Sequence, residues 1–132
     1  MNQELFDKFR ELDLPIGGYA IFGSGPMAIR GLRESSDIDF IVPKKIFDKY
    51  RDNEEWKQGI FADGTEYLSS GDMEMLYDWG TGWDTEELIK NAEIIDGLAF
   101  VRLKEVLKWK KMRNKEKDQK DIEIIENYLS NK

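Results

Sequence analysis

The most constraining stretch is residues 37–42, Asp-Ile-Asp-Phe-Ile-Val, in which Ile38, Phe40 and Val42 alternate with Asp37, Asp39 and Ile41. Side chains on a strand point alternately to its two faces. A strand here sends three apolar groups into a core and brings both carboxylates out together on the other side. Such a segment needs a sheet around it and cover on at least one face. The rest of the chain offers both. Leu5, Phe6, Phe9 and Leu12 follow a helical period that ends before Pro15, and Tyr19-Ala20-Ile21-Phe22 is a short apolar run of strand type. After Gly23-Ser24-Gly25, Pro26 suits the first turn of a short helix through Met27, Ala28 and Ile29, stopped by Gly31. Pro43 opens a helix whose inner face is Ile46, Phe47 and Tyr50.

Further along, strands are expected at residues 56–61, 66–68 and 73–79. The last puts Glu74, Leu76 and Asp78 on one face and Met73, Met75, Tyr77 and Trp79 on the other. Asp84-Thr85-Glu86-Glu87 starts a helix through Ala92 in the manner of a capping box, with acids at the favourable end of its dipole. Short extended pieces follow at 94–95 and 98–101, around Asp96-Gly97. Two closing helices are expected at 103–113 and 117–129, the second with Ile122, Ile125, Tyr128 and Leu129 as its inner stripe. This order predicts an α+β fold, with a mixed β-sheet, flanking helices and a C-terminal helical hairpin. Residues 1–101 would form the core and 102–132 a hairpin packed on it, as one domain overall.

Composition removes several chemistries. The 132 residues contain no histidine and no cysteine. That excludes a thiol nucleophile, a zinc–thiolate site, a Ser-His-Asp triad and a histidine pH switch. What remains is carboxylates, hydroxyls, amides, Lys, Arg and whatever metal the carboxylates hold; hard oxygen ligands select Mg²⁺, Mn²⁺ or Ca²⁺. Residues 1–14 are charged and amphipathic rather than signal-like, and no run approaches the roughly 20 apolar residues of a membrane span. The expectation is a cytoplasmic protein without a membrane partner. The formal charge is −7, yet residues 102–120 carry nine basic and three acidic side chains, leaving −13 for the rest. That basic stretch either folds against something anionic or is a solvated helix face balancing an acidic body.

Two motifs carry the chemistry. Gly23 and Ser24 sit where a strand turns into a helix, so backbone amides, a hydroxyl and a helix N-terminus can face an anion. Asp37 and Asp39 share one side of a strand, and two such close carboxylates repel unless a cation sits between them. Twelve residues separate Ser24 from Asp37. Either motif alone is common, in turns and at solvated strand edges; together they describe a polyphosphate end and a metal end of one site.

With these residues, Gly23-Ser24 followed by Ser36-Asp37-Ile38-Asp39-Phe40, the chain resembles the nucleotidyltransferase fold superfamily, the polymerase-beta-like group. It is similar to its minimal prokaryotic and abortive-infection-type members. Leu103-Lys104, Trp109-Lys110, Arg113, Lys117-Asp118 and Asp121-Ile122 look like the helical end of that second type, although Lys117 and Asp121 also fit an i, i+4 pair that only steadies a helix. The resemblance implies a nucleotidyltransferase-like sheet and transfer of a nucleoside monophosphate from a triphosphate, such as ATP, to a hydroxyl acceptor. It implies Mg²⁺ or Mn²⁺ held by Asp37, Asp39 and a third carboxylate on a neighbouring strand. Glu74 falls at that position, where the family more often has Asp; Asp72 and Asp78 are alternatives.

Gly23 and Ser24 would hold the outer phosphates, with Arg30, Arg33 and Lys104 as further nucleotide-binding candidates. Each has a plainer role. Arg30 or Arg33 would equally pair with Glu34 or Asp37, and Lys104, Lys108 and Lys111 recur at helical spacing as on a solvated face. Tyr77, Trp79 and Trp83 are candidates to stack on a base, or simply core. The acceptor is open, and nucleic acid enters only in that role. Small size implies a partner protein or homodimer to complete the acceptor wall, as in toxin–antitoxin or phage-defence pairs. A catalytically weak nucleotide-binding or antitoxin-like module is the alternative to an active enzyme.

Overall fold

The structure is a computed structural model that describes residues 3–78 and 84–131. It is an α+β fold. Among the described residues are seven strands in one mixed sheet and six helices. The helices are α1 (Gln3–Arg10), α2 (Gly25–Ala28), α3 (Lys44–Arg51), α4 (Thr85–Lys90), α5 (Leu103–Arg113) and α6 (Gln119–Ser130). The strands are β1 (Ala20–Phe22), β2 (Ile38–Ile41), β3 (Lys57–Ile60), β4 (Glu66–Ser70), β5 (Met73–Leu76), β6 (Glu93–Ile95) and β7 (Leu98–Phe100). Their spatial order is β3-β4-β5-β2-β1-β7-β6. β2 runs parallel to β5, β1 runs parallel to β7, and the other neighbours are antiparallel. None of the described helices is long and apolar enough to cross a membrane.

Period-2 alternation divides the core in two. Ile21, Ile38, Phe40, Val42, Leu68 and Met75 face one way, onto Phe6 and Phe9 of α1 and Phe47 of α3. Phe9 sits edge-on to Phe40 with ring centres 4.9 Å apart. Ala20, Phe22, Ile41 and Leu76 face the other way, onto Met27 of α2, Ile89 of α4, Leu103 and Val106 of α5, and Ile125 of α6. Each fully buried side chain of this size removes enough apolar surface from water to contribute roughly 1.5–3 kcal/mol. The helical hairpin is therefore fastened to the sheet by its own share of the core. Asp84 caps α4 as the acidic run suggests, accepting from the amides of Glu86 and Glu87.

Some elements differ from expectation. The strand foreseen over 73–79 ends at Leu76; Tyr77 still packs on the first core, ring to ring with Phe47. The last helix begins with a separate 3-10 turn, Glu116–Asp118. Its inner stripe is also shifted: Asp121 and Ile125 are buried, whereas Leu129 is exposed. A carboxylate occupies a position that apolar periodicity assigns to a hydrocarbon, because Lys110 of α5 and Arg33 meet it there.

Candidate active site

Strand register brings the acids together. Phe22 of β1 pairs with Asp39 of β2, and Asp39 pairs with Glu74 of β5. Alternation puts Asp39 and Glu74 on the face shared with α5 and α6, since their neighbours two residues along, Ile41 and Leu76, belong to that core. Asp37, just before β2, is exposed. Its charge acts on both other carboxyls. Burial pushes Asp39 up from 3.8 to about 7, helped by repulsion from Asp37 and Glu74, against the opposing pull of Arg113 and Lys110. Glu74 is raised by burial and then by Asp37. The Asp39 carboxylate accepts no hydrogen bond from a side chain among the described residues. Of the other candidates for third carboxylate, Asp72 is exposed and 3.6 Å from Lys8, and Asp78 is exposed at the end of the described segment.

The Gly-Ser corner abuts this cluster. Gly23 adopts φ +68°, and a Cβ built on it would lie 2.9 Å from Asp39 Oδ2. Both the left-handed backbone and the contact demand glycine. Gly23→Ala is expected to cost about 1–2 kcal/mol from backbone conformation alone, and more if Asp39 cannot shift; urea denaturation reads the change. The hydroxyls of Ser24 and Ser35 are 2.6 Å apart, and Ser35 donates to the carbonyl oxygen of Asp37 at 2.7 Å. A hydroxyl has one proton to give, so Ser24 donates to Ser35. The serine couples the turn to the Asp37 backbone instead of offering its proton outward. α2 is a single turn, so its dipole at this corner is small.

The basic candidates are placed differently from expectation. Arg30 donates to the Pro26 carbonyl at 2.7 Å, forms an ion pair with Glu93 and lies over the Tyr128 ring. Arg33 donates to Asp121 at 2.7 Å and to the Glu34 carbonyl. Lys104 lines a separate groove of about 580 Å³ with Asp84, Glu87, Asn91 and Arg102. Lys108 and Lys111 pair with Glu105 and Glu126. Arg30 and Arg33 find acids from elsewhere in the chain, and Lys104 lies about 9 Å along α5 from Lys110.

The cations whose charge acts on Asp39 are Lys110 and Arg113. Lys110 is only 4% exposed, with its ammonium 3.2 Å from Asp121 and 3.5 Å from Asp118. Arg113 makes a two-pronged contact to Asp118 at 2.7 and 2.5 Å and lies over Trp109, with its guanidinium carbon 4.0 Å from the ring centre. A sequence signal for this cluster exists. Leu103, Val106 and Lys110 occupy the i, i+3 and i+7 positions of one helix face, and Asp118, Asp121 and Ile125 do the same on the next. Charges at core positions of two adjacent helices imply that they pair. Lys117 does not pair with Asp121, which takes Lys110 and Arg33 instead.

The oxygen donors fit a hard divalent cation, since a half-buried carboxylate repelled by two others and lacking a donor of its own is relieved by positive charge. As the side chains stand, no group of three or more acids among the described residues is arranged to hold an ion. Mg²⁺ takes one or two carboxylates and keeps several waters, so a closed protein cage is not required. Tyr77 turns to the opposite face, donating to Glu66 at 2.7 Å, and cannot stack on a base here. Trp79 and Trp83 lie outside the described residues. Comparison with known proteins returned no matching family model and no matching curated protein.

Proposed function

We propose that this chain is a metal-dependent nucleotidyltransferase, moving a nucleoside monophosphate from a nucleoside triphosphate such as ATP to a hydroxyl acceptor. The observation that carries the reading is Asp39 and Glu74 paired on adjacent strands, with Asp37 acting on both, against the Gly23 turn. Asp37, Asp39 and Glu74 would hold Mg²⁺ or Mn²⁺, which supplies charge neutralisation for the phosphates and acidifies the acceptor hydroxyl. In the transfer the acceptor oxygen bonds to the α-phosphorus, the bond to pyrophosphate breaks, and the acceptor proton passes to a carboxylate. Glu74 suits that base, because burial and Asp37 raise its proton affinity. Lys110 and Arg113 bring cationic charge to the same place, in the role first assigned to Arg30, Arg33 and Lys104, and Asp118 and Asp121 fix their positions.

A catalytically weak, antitoxin-like nucleotide-binding module is the second reading, favoured by Ser24 giving its proton to Ser35 rather than to a ligand. One experiment separates the two. Incubation with each labelled triphosphate, Mg²⁺ or Mn²⁺ and candidate hydroxyl acceptors is expected to give pyrophosphate and a labelled product. Glu74→Gln is expected to lower turnover more than about a hundredfold, at the lower end of what positioned acid–base groups contribute, while triphosphate binding persists. Binding without transfer in the wild-type protein favours the module, and no metal-dependent binding overturns both.

A further inference from the structure

The sheet continues past Glu74, on the same face, into two strands that the transfer chemistry above leaves unused. Ser69 of β4 pairs with Glu74, and Lys57 of β3 pairs with Ser69. Two residues along, Tyr67 pairs with Gly59. Tyr67 packs beside the core that includes Leu76, so it faces the same side as Glu74. Gly59 is what lets its ring lie down. A Cβ there would stand 2.2 Å from the ring carbon bearing the hydroxyl and 2.4 Å from the hydroxyl oxygen, so only a bare backbone accommodates the aromatic across it. Phe61, the next residue of β3's alternation on that face, brings its ring centre within 4.4 Å of Tyr67's at an interplanar angle of 34°. Phe61 remains 38% exposed.

We propose, resting on the transferase reading, that the Tyr67–Phe61 ring pair is the platform on which the nucleobase of the triphosphate stacks. Strand spacing and rise put the Tyr67 backbone roughly 8 Å from that of Glu74. A ribose spans a gap of that order between a phosphate held at the carboxylates and its base. Stacking on a π-face reads no hydrogen-bonding edge, so the platform accepts all four bases with little preference.

The test uses 2-aminopurine riboside triphosphate, whose fluorescence is quenched when it stacks, and tripolyphosphate, which has no base, each with Mg²⁺ and the full chain. Phe61→Ala is expected to weaken the fluorescent nucleotide about tenfold and abolish its quenching, with tripolyphosphate binding unchanged; Phe61→Trp restores both. Nucleotide binding and quenching unchanged in Phe61→Ala overturn the platform and leave the transferase reading intact. Equal weakening of both ligands also overturns it, since Phe61 then acts through the fold. If neither ligand binds the folded wild-type protein, the transferase reading falls and the platform with it.

Discussion

In metal-free buffer at pH 8, Asp39→Asn is expected to stabilise the protein by about 2–4 kcal/mol, while the proposed nucleotidyl transfer, assayed separately with Mg²⁺, falls below detection. The stabilisation follows from the folded carboxyl titrating near 7 instead of 3.8. A carboxyl whose proton affinity is raised by folding favours the folded state fully below its unfolded value. That contribution is then lost as pH rises through the folded value. Below pH 4 both states are protonated and the Asn variant gains little; the gain grows through pH 5 and 6 and levels off above 7. Glu74 titrates in the same sense, so the wild-type protein carries two such liabilities on neighbouring strands. Thermal melts of the two proteins across that range measure the difference. Added Mg²⁺ or Mn²⁺ is expected to raise the melting temperature of the wild-type protein at pH 8 and leave Asp39→Asn nearly unmoved. A variant no more stable than wild type at high pH would mean that Asp39 is solvated rather than held against its neighbours.

Local periodicity is what made Asp37, Asp39 and Glu74 legible. The alternation around Phe40 and Met75 fixes which side chains share a face, and a strand repeats that information every two residues. Pairing of Asp39 with Glu74 rather than with another acid is a matter of register between segments 35 residues apart, and no local pattern encodes register. The partners of the basic candidates are hidden for a related reason. Sequence places Arg30 and Arg33 close to the motifs and Lys104 in a basic segment, and neither fact names a partner. Their actual partners, Glu93 and Asp121 for the arginines, come from segments that only the finished fold brings near. Lys110 was visible as one basic residue among nine, and its apolar-stripe position against Asp121's was the informative feature. Tyr67's platform was hidden too, because Gly59 reads as an ordinary strand interruption until the ring is seen to lie across it.

Asp118→Asn is expected to cost about 3–5 kcal/mol at pH 7, the largest loss of stability foreseen for a single polar change in this chain. Asp118 is 1% exposed at the start of the second hairpin helix. Burial alone would raise its carboxyl, but the hydrogen bonds and charge of Arg113, with Lys110 behind them, hold it below the ordinary range. Replacing it with an amide leaves Arg113 half-satisfied and Lys110 with only Asp121 as a partner. Two cations left sharing too few anions at a buried site are what make breaking such a cluster costlier than never having built it. The pH dependence is opposite to that of Asp39. A carboxyl whose proton affinity is lowered by folding contributes stability above its unfolded value and loses it as pH falls through the folded one, so wild type and variant converge in acid. The same substitution reaches the site, because Lys110 and Arg113 are the cations that oppose the repulsion on Asp39. With Arg113 loosened, Asp39 titrates higher still, and triphosphate affinity weakens even at temperatures where the variant remains folded. Denaturant melts at pH 7 and pH 3 separate the stability effect, and nucleotide titration well below the melting temperature reads the effect on binding. A variant that melts like wild type yet binds nucleotide poorly would place Asp118 in ligand binding rather than in holding the hairpin's charges.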